Sequence, residues 1–527
     1  MSGRIKPPRF SHSFDEEFDV VVAGYGYAGA LAALEAARAG AKVLLIEKTS
    51  VPGGISICSY GAVRSANDKD KAFTYLKATC GERTSDDVVR ALANGMSEVE
   101  QYVRELARAN GAVIETTEEY GKAGANYPMK GWDSFYHTTV VSVPGFNANA
   151  VYPWAVGAVG GPMMFKIIDD NLAKVRVQIR LNTEALRLIT SGTESEVIGV
   201  TLRSGNKISR IRALGGVILA CGGFEGDRFM QEQFWEGKPI LPVAARHNTG
   251  DGIRMSQDVG AAIWHTWHFH GAYGFRHTDP SYPYALRVKR LPDWVPGREH
   301  TAQVKMAWVL LDKSGRRFMS EYQPYTQDTS HRQMHYFNPV TQDYPRIPAY
   351  LVFDENGRKL YPIGRPTSND EGLRYDWSED NLKEVELGIL MRAPTLAGLA
   401  EILGVDAAET HASVKRWNDM CRAGKDADFA RPAGTMIPID TPPYYGAPAY
   451  PVCSNTQGGP VHDGEQRVID VYGNPIPGLY SAGEMGSAFG HLYLSGGNIA
   501  ECFVNGPIAG RNAAAAALAT RPAPAAV

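Results

Sequence analysis

A chain of 527 residues is too long for one simple core and divides into two or three domains. A formal net charge of -3 leaves no basic excess for nucleic acid or an anionic membrane surface, and no apolar run nears the ~20 residues that span a bilayer. The six cysteines are scattered without a C-x-x-C pair, as expected of reduced thiols rather than a disulfide or zinc framework.

The N-terminal stretch MSGRIKPPRFSHSFDEEFD has no apolar h-region, so a cytoplasmic protein is expected. Val20 to Ala23 is a short, β-branched apolar run that fits a buried parallel strand. Gly24-Tyr25-Gly26-Tyr27-Ala28-Gly29 then reads G-x-G-x-x-G. Strong helix formers run from Ala30 to Ala39, and Gly40 is placed to end the helix. Lys42 to Ile46 is a second strand, closed by Glu47. This is a complete β-α-β unit with an acid about 20 residues past the first glycine. Gly24 allows the tight turn, Gly26 lets a pyrophosphate approach the backbone, and Gly29 lets helix and strand pack closely. The helix N-terminus offers free N–H groups to the phosphates, and Glu47 is an acceptor for ribose hydroxyls.

After Glu47 come Lys48 and a second loop rich in glycine and serine, with Gly53, Gly54, Ser56, Ser59 and Gly61. A loop of this kind directly after the acid suits a longer, folded-back ligand with a flavin at its far end. Further along, GGVILACGGFEGD is an apolar strand ending in a small-residue turn at Ala220 and Gly222. NTGDGIRMSQDVGA puts Asp251 between two glycines at the start of a helix. Near the C-terminus, GLYSAGEMGSAFGHLYLSGGNIAECF is a strand, a turn with Gly483 and Glu484, and then Gly496-Gly497-Asn498 opening a long helix.

These segments, in this order and over nearly the whole chain, resemble the fumarate reductase/3-ketosteroid dehydrogenase superfamily of FAD flavoproteins. The resemblance implies an α/β fold: a Rossmann-like, glutathione-reductase-like FAD-binding domain, with an inserted α+β substrate domain. The expected limits are 14–272 and 446–520 for the two parts of the FAD-binding domain and 273–445 for the insert. It also implies non-covalent FAD, since no histidine lies between Gly53 and Gly61. Ala185 is expected at the adenine, Glu484 near the ribityl chain, and Gly497, Asn498 and Ile499 at the flavin pyrimidine.

The dicarboxylate branch typically reads N-R-x-G-G-N before the last helix; here Tyr493-Leu494-Ser495-Gly496-Gly497-Asn498 replaces the arginine with neutral hydroxyls. Tyr493-x-Ser495 is similar to the 3-ketosteroid Δ4-dehydrogenase type. RRFMSEYQPYTQDT is similar to the family's Arg-Phe-x-Asn-Glu segment, with Ser320 in place of asparagine. Tyr325 is the best match to its active-site tyrosine and Tyr322 the rival. The implied activity is desaturation α,β to the C3 ketone of a steroid (Δ4, with Δ1 as the neighbouring option), by proton abstraction and hydride transfer to flavin N5. Tyr493, Ser495 and Tyr325 are the expected catalytic residues, and the Gly497 N–H is a candidate donor to the ketone. The implied partners are a small apolar ketone and an external electron acceptor. The alternatives are a soluble enoate or dicarboxylate reductase, or a non-catalytic electron-transfer subunit.

Two features of the stretch that leads into and through the insert are read from the residues alone. Aromatics such as Trp267, Tyr273, Trp294 and Trp308 suit a flat apolar ligand and suit a core nearly as well. His265, His268, His270 and His277 lack interleaved ligands and helical spacing, which favours a polar pocket wall or hinge over a metal site.

Overall fold

The computed structural model describes residues 13–117, 124–155, 160–192, 196–293, 304–370 and 373–520. The first twelve residues, read above for a signal, lie outside the described residues, as does Trp294. The chain opens with β1 (Glu16–Ala23), α1 (Tyr27–Arg38) and β2 (Val43–Ile46). Then follow β3 (Val177–Arg180), β4 (Thr183–Thr190), β5 (Val197–Ser204), β6 (Lys207–Leu219) and α2 (Asp251–Asp258). The middle of the chain gives β7 (Phe269–His270), β8 (Tyr273–Arg276), β9 (Ala285–Arg287), β10 (Val309–Leu311), α3 (Thr326–Thr329) and β11 (Ala349–Asp354). It returns through β12 (Tyr444–Cys453), β13 (Asn455–Thr456), β14 (Arg467–Ile469), β15 (Pro475–Ser481) and α4 (Gly497–Ala519).

Both ends of the chain build the first sheet, in the order β14-β15-β6-β1-β2-β3, with β5 and β4 continuing as a meander from β6. β1 is parallel to both β2 and β6, and β15 is parallel to β6. Val20, Val21 and Val22 are fully buried, because helices or loops cover both faces of a parallel sheet. α1 is apolar nearly all round because it lies between this sheet and α4. In α4, a Cβ on Gly506 would lie 2.5 Å from the Ala28 carbonyl oxygen and one on Gly510 would lie 2.2 Å from that of Ala32. The two glycines, four apart, therefore set how closely the helices approach. α1 begins at Tyr27, three residues before the sequence suggests, because Gly26 is its N-cap and the last three fingerprint residues are already helical.

The second sheet runs β9-β8-β12-β11-β10 and packs around Tyr273, Trp308 and Leu351. We propose 14–272, 273–445 and 446–520 as the limits of the two lobes. β12 pairs within the second sheet on both sides of position 445, so one strand carries the chain back toward the first lobe.

Candidate active site

Between the lobes lies a cavity of ≈ 900 Å³, at the upper end of small-molecule pockets. At one end, Gly24 turns the chain from β1 toward α1 with φ +106°, and any Cβ there would lie 2.2 Å from the Ala220 carbonyl oxygen. The N-cap of α1, Gly26, has no side chain, and the start of the helix faces the cavity, with the Tyr27 N–H donating to Ser56 Oγ at 3.2 Å. Glu47, at the end of β2, accepts from the Tyr25 N–H at 3.0 Å and from the Thr49 N–H at 2.9 Å, which holds its carboxylate at the cavity wall. Lys48 donates to Asp251 at 2.6 Å at the start of α2.

Of the expected cofactor residues, Gly24, Gly26, Tyr27, Ala28, Glu47, Lys48, Gly54, Ser56, Ser59, Ala185, Ala220, Gly222, Asp251, Glu484, Asn498 and Ile499 line this one cavity. Gly29, Gly53, Gly61, Gly483 and Gly497 do not line it; they sit where backbone or side chains pack directly on them, as where a Cβ on Gly29 would lie 1.8 Å from the Gly24 carbonyl oxygen. A helix N-terminus, a held acid and a glycine-walled approach at one end of the cavity fit a dinucleotide.

Deeper in, Glu484 accepts from the Thr456 N–H at 2.8 Å. Burial pushes its carboxyl up to about 7, and burial plus the Glu484 charge raises Glu225 well above the ordinary 4.5. Two coupled, buried carboxyls favour holding one shared proton over two charges.

At the other end are the three expected catalytic residues. Tyr325 precedes α3, and Tyr493 and Ser495 lie in the loop before α4; all three line the cavity. The Tyr325 and Tyr493 rings are stacked, 6.4 Å between centroids and 23° between planes. Tyr322 points elsewhere, donating to the Pro292 carbonyl at 2.6 Å. Ser320 bonds to the Tyr322 carbonyl, outside the cavity. The Gly497 N–H donates to the Leu494 carbonyl at 2.7 Å, so it is not available to a ketone. This corrects the expectation for that group: the turn that starts α4 consumes the N–H.

His270, expected in a polar pocket wall or hinge, lines the cavity. It stands between the tyrosines, with Nε2 2.8 Å from Tyr325 Oη and Nδ1 3.1 Å from Asn455 Oδ1. Asn455 Nδ2 donates to Asn498 Oδ1 at 2.7 Å, and Asn498 Nδ2 donates to Glu501 at 2.7 Å. The carboxylate orients Asn498, which orients Asn455, which takes the proton of His270 Nδ1. His270 Nε2 is then an acceptor from Tyr325. Burial holds His270 neutral, down to about 3. Burial also raises Tyr325 above the ordinary phenol value, opposed by the Arg290 charge and a hydrogen bond from Ser495. Tyr493 Oη accepts from the Asn498 N–H at 3.3 Å, which leaves its own proton to donate.

The tyrosines are anchored through Asp328, fully buried on α3. It accepts from the Tyr493 N–H at 3.0 Å and the Tyr127 hydroxyl at 2.7 Å, and meets His268 Nε2 at 3.0 Å. Burial pushes its carboxyl up, but His268, Arg332 and Tyr127 outweigh that and hold it well below the usual range. His265 and His268 bond to the Ser487 and Phe489 carbonyls, fixing the loop that leads to Tyr493. Among the described residues no cluster of His, Cys, Asp or Glu is suited to a metal, and no helix is long and apolar enough to cross a membrane.

Three arginines, Arg287, Arg290 and Arg365, complete this end of the wall. Arg287 and Arg290 stand three residues apart at and just after β9, and Arg365 comes from a distant loop, so the sequence carries no signal that all three converge.

Residues 19–499 match the FAD binding domain family, to which the chain belongs, and the cofactor is FAD. Digoxin reductase of Eggerthella lenta is 28% identical over 95% of this chain and 87% of its own length. 3-Oxosteroid 1-dehydrogenase of Mycobacterium tuberculosis is 28% identical over 94% of this chain and 98% of its own. Among solved structures, 3-ketosteroid delta1-dehydrogenase from Sterolibacterium denitrificans, in complex with 1,4-androstadiene-3,17-dione, is similar with a TM-score of 0.76 at 25% identity, covering 95% of this chain and 100% of that one.

Proposed function

Because the chain belongs to the FAD binding domain family, we propose that it is an FAD-dependent dehydrogenase that introduces a C=C bond α,β to a ketone, with 3-oxo steroids as the parent substrate class. The observation that carries this reading is the Tyr493–Tyr325–His270 cluster at the far end of the FAD cavity. Two hydroxyls and a neutral imidazole suit enolisation of a ketone. Tyr493, its oxygen held by the Asn498 N–H, donates to the ketone oxygen and stabilises the charge that builds there as the α C–H bond breaks. Tyr325 takes the α proton while its own proton passes along the existing hydrogen bond to His270 Nε2. Ser495 and Arg290 favour the phenolate that this exchange passes through. Bound FAD supplies the two-electron acceptor for the hydride that leaves the β carbon.

The Tyr493-x-Ser495 spacing supports Δ4 chemistry, while the dehydrogenase of M. tuberculosis, named for position 1, supports Δ1. The digoxin reductase likeness supports the reverse reaction on the same cluster. Anaerobic stopped-flow mixing of the yellow protein with a neutral 3-oxo steroid should bleach the flavin, and product analysis separates Δ1 from Δ4. Tyr493→Phe should slow bleaching by ~10²–10³, as when one oxyanion donor is lost, with flavin content unchanged. Recolouring of the dithionite-reduced flavin by fumarate, with bleaching by no ketone, would overturn the reading.

A further inference from the structure

The arginine wall narrows the substrate class. Arg287, Arg290 and Arg365 all line the cavity beside the tyrosines, and Arg290 Cζ lies 5.8 Å from the centre of the Tyr325 ring. Each carries a fixed positive charge, yet the partners among the described residues are mostly neutral. Arg287 donates to the Ser454 hydroxyl and Arg365 to the Tyr60 hydroxyl at 3.2 Å. Asp293 is the one carboxylate bonded to the three among the described residues, on Arg290 at 2.5 Å. Arg365 Nε is buried with no hydrogen-bond partner.

Like charges gathered in a partly desolvated wall repel one another and cost free energy unless an anion compensates them. The repulsion is visible in the groups themselves. Burial, then the Arg365 charge, lowers Arg287 to about 9. Burial acts to raise Tyr60, which Arg365 touches, yet Arg365, Arg287 and Arg290 pull it below its ordinary phenol value. A site whose field draws negative charge onto a phenol has a standing deficit of anion.

The phosphates of the cofactor do not fill it. The start of α1 lies against Gly24, Gly26 and Ser56, while these arginines belong to the insert and face Tyr60, Ser454 and Tyr325. A planar guanidinium is the group best matched to a carboxylate, through two parallel N–H bonds.

We propose that the ketone substrate carries a carboxylate, bound by Arg287, Arg290 and Arg365 while its carbonyl lies against Tyr493. The inference rests on the ketone dehydrogenase reading and refines it from an apolar ketone to an alicyclic keto acid. Because the arginines adjoin Tyr325, the carboxylate sits close to the reacting carbons, not at the remote end of a long skeleton.

The test compares, on the FAD-loaded protein, a cyclohexanone bearing a ring carboxylate, its methyl ester and a neutral 3-oxo steroid in anaerobic flavin bleaching. Calorimetry with cyclohexanecarboxylate, which has no ketone to oxidise, measures the anion site alone. The expected result is that the keto acid bleaches with a half-saturation about 10- to 100-fold below that of its ester, the range of a charged hydrogen bond. Arg365→Gln and, separately, Arg287→Gln should reduce that preference and the calorimetric affinity by about the same factor. Equal half-saturation for acid and ester in the parent protein would overturn the inference without any variant, as would arginine variants that keep the acid preference. If no ketone bleaches the flavin but cyclohexanecarboxylate binds and the variants lose it, the ketone reading fails and the anion site stands.

Discussion

Glu225 and Glu484 show how a single proton enters the energetics of the cofactor lobe. Both carboxyls have pKa values raised by burial, so the folded state holds a proton that the unfolded chain releases near 4.5. For a raised pKa the stabilising contribution is complete below the unfolded value and is lost as pH rises through the folded one. Stability should therefore fall from about pH 5 to about pH 8 through this pair. Glu225→Gln keeps the shape of the protonated acid: its amide donates to Glu484 at every pH, and its oxygen still accepts from Asn248, as Glu225 does at 2.8 Å. The variant should show a flatter profile, with a higher unfolding midpoint than the parent at the alkaline end. Parallel profiles for parent and variant in thermal melts would show that the pair is not the source. Tyr493 and Ser495 were legible from sequence because they sit a fixed two residues apart beside a glycine turn. Glu225 was not, since its meaning depends on Glu484, which reaches it only through the fold.

At the scale of elements, the contact of α1 with α4 supports the cofactor cradle from behind. Gly510 meets the Ala32 carbonyl across that contact, and the clash of an added Cβ is with backbone, which cannot rotate away. Gly510→Ala should destabilise by ~1–3 kcal/mol, the usual cost of overpacking, in spite of alanine's better helix propensity. Because α1 presents its N-terminus to the cavity, flavin should also be released at a lower temperature. A denaturant midpoint at or above the parent value would show that the helices separate without cost. The β-α-β unit and the long final helix were plain in the sequence. The start of α1 was not, because the glycines that suggest a turn already serve as its first residues. The donor expected at Gly497 was likewise displaced by a local hydrogen bond, which the spacing of glycines does not encode.

At the scale of the molecule, the cavity draws its walls from both ends of the chain and from the insert, so cofactor binding and folding are coupled by mass action. FAD is expected to be held without a covalent bond. Acid or heat denaturation should send all the yellow colour to the supernatant, and colour release should track unfolding of the first sheet; colour in the precipitate would indicate a covalent link.

The sequence by itself determined the dinucleotide fold, the cofactor and the two hydroxyls before the last helix. Each depends on a few consecutive residues, where backbone conformation, helix polarity and close approach restrict what can stand at each position. Only the tertiary structure decided which histidine reaches Tyr325, that Glu225 and Glu484 share a proton, and that three arginines converge beside the tyrosines. Those features depend on strands and loops meeting across tens to hundreds of positions. His270 takes its tautomer from Asn455 on the paired strand β13, and the arginines come together where β9 and the loop before position 366 close over Tyr60. Periodicity places residues on faces, but it does not say which faces will meet, and the charge of this site arises where they do.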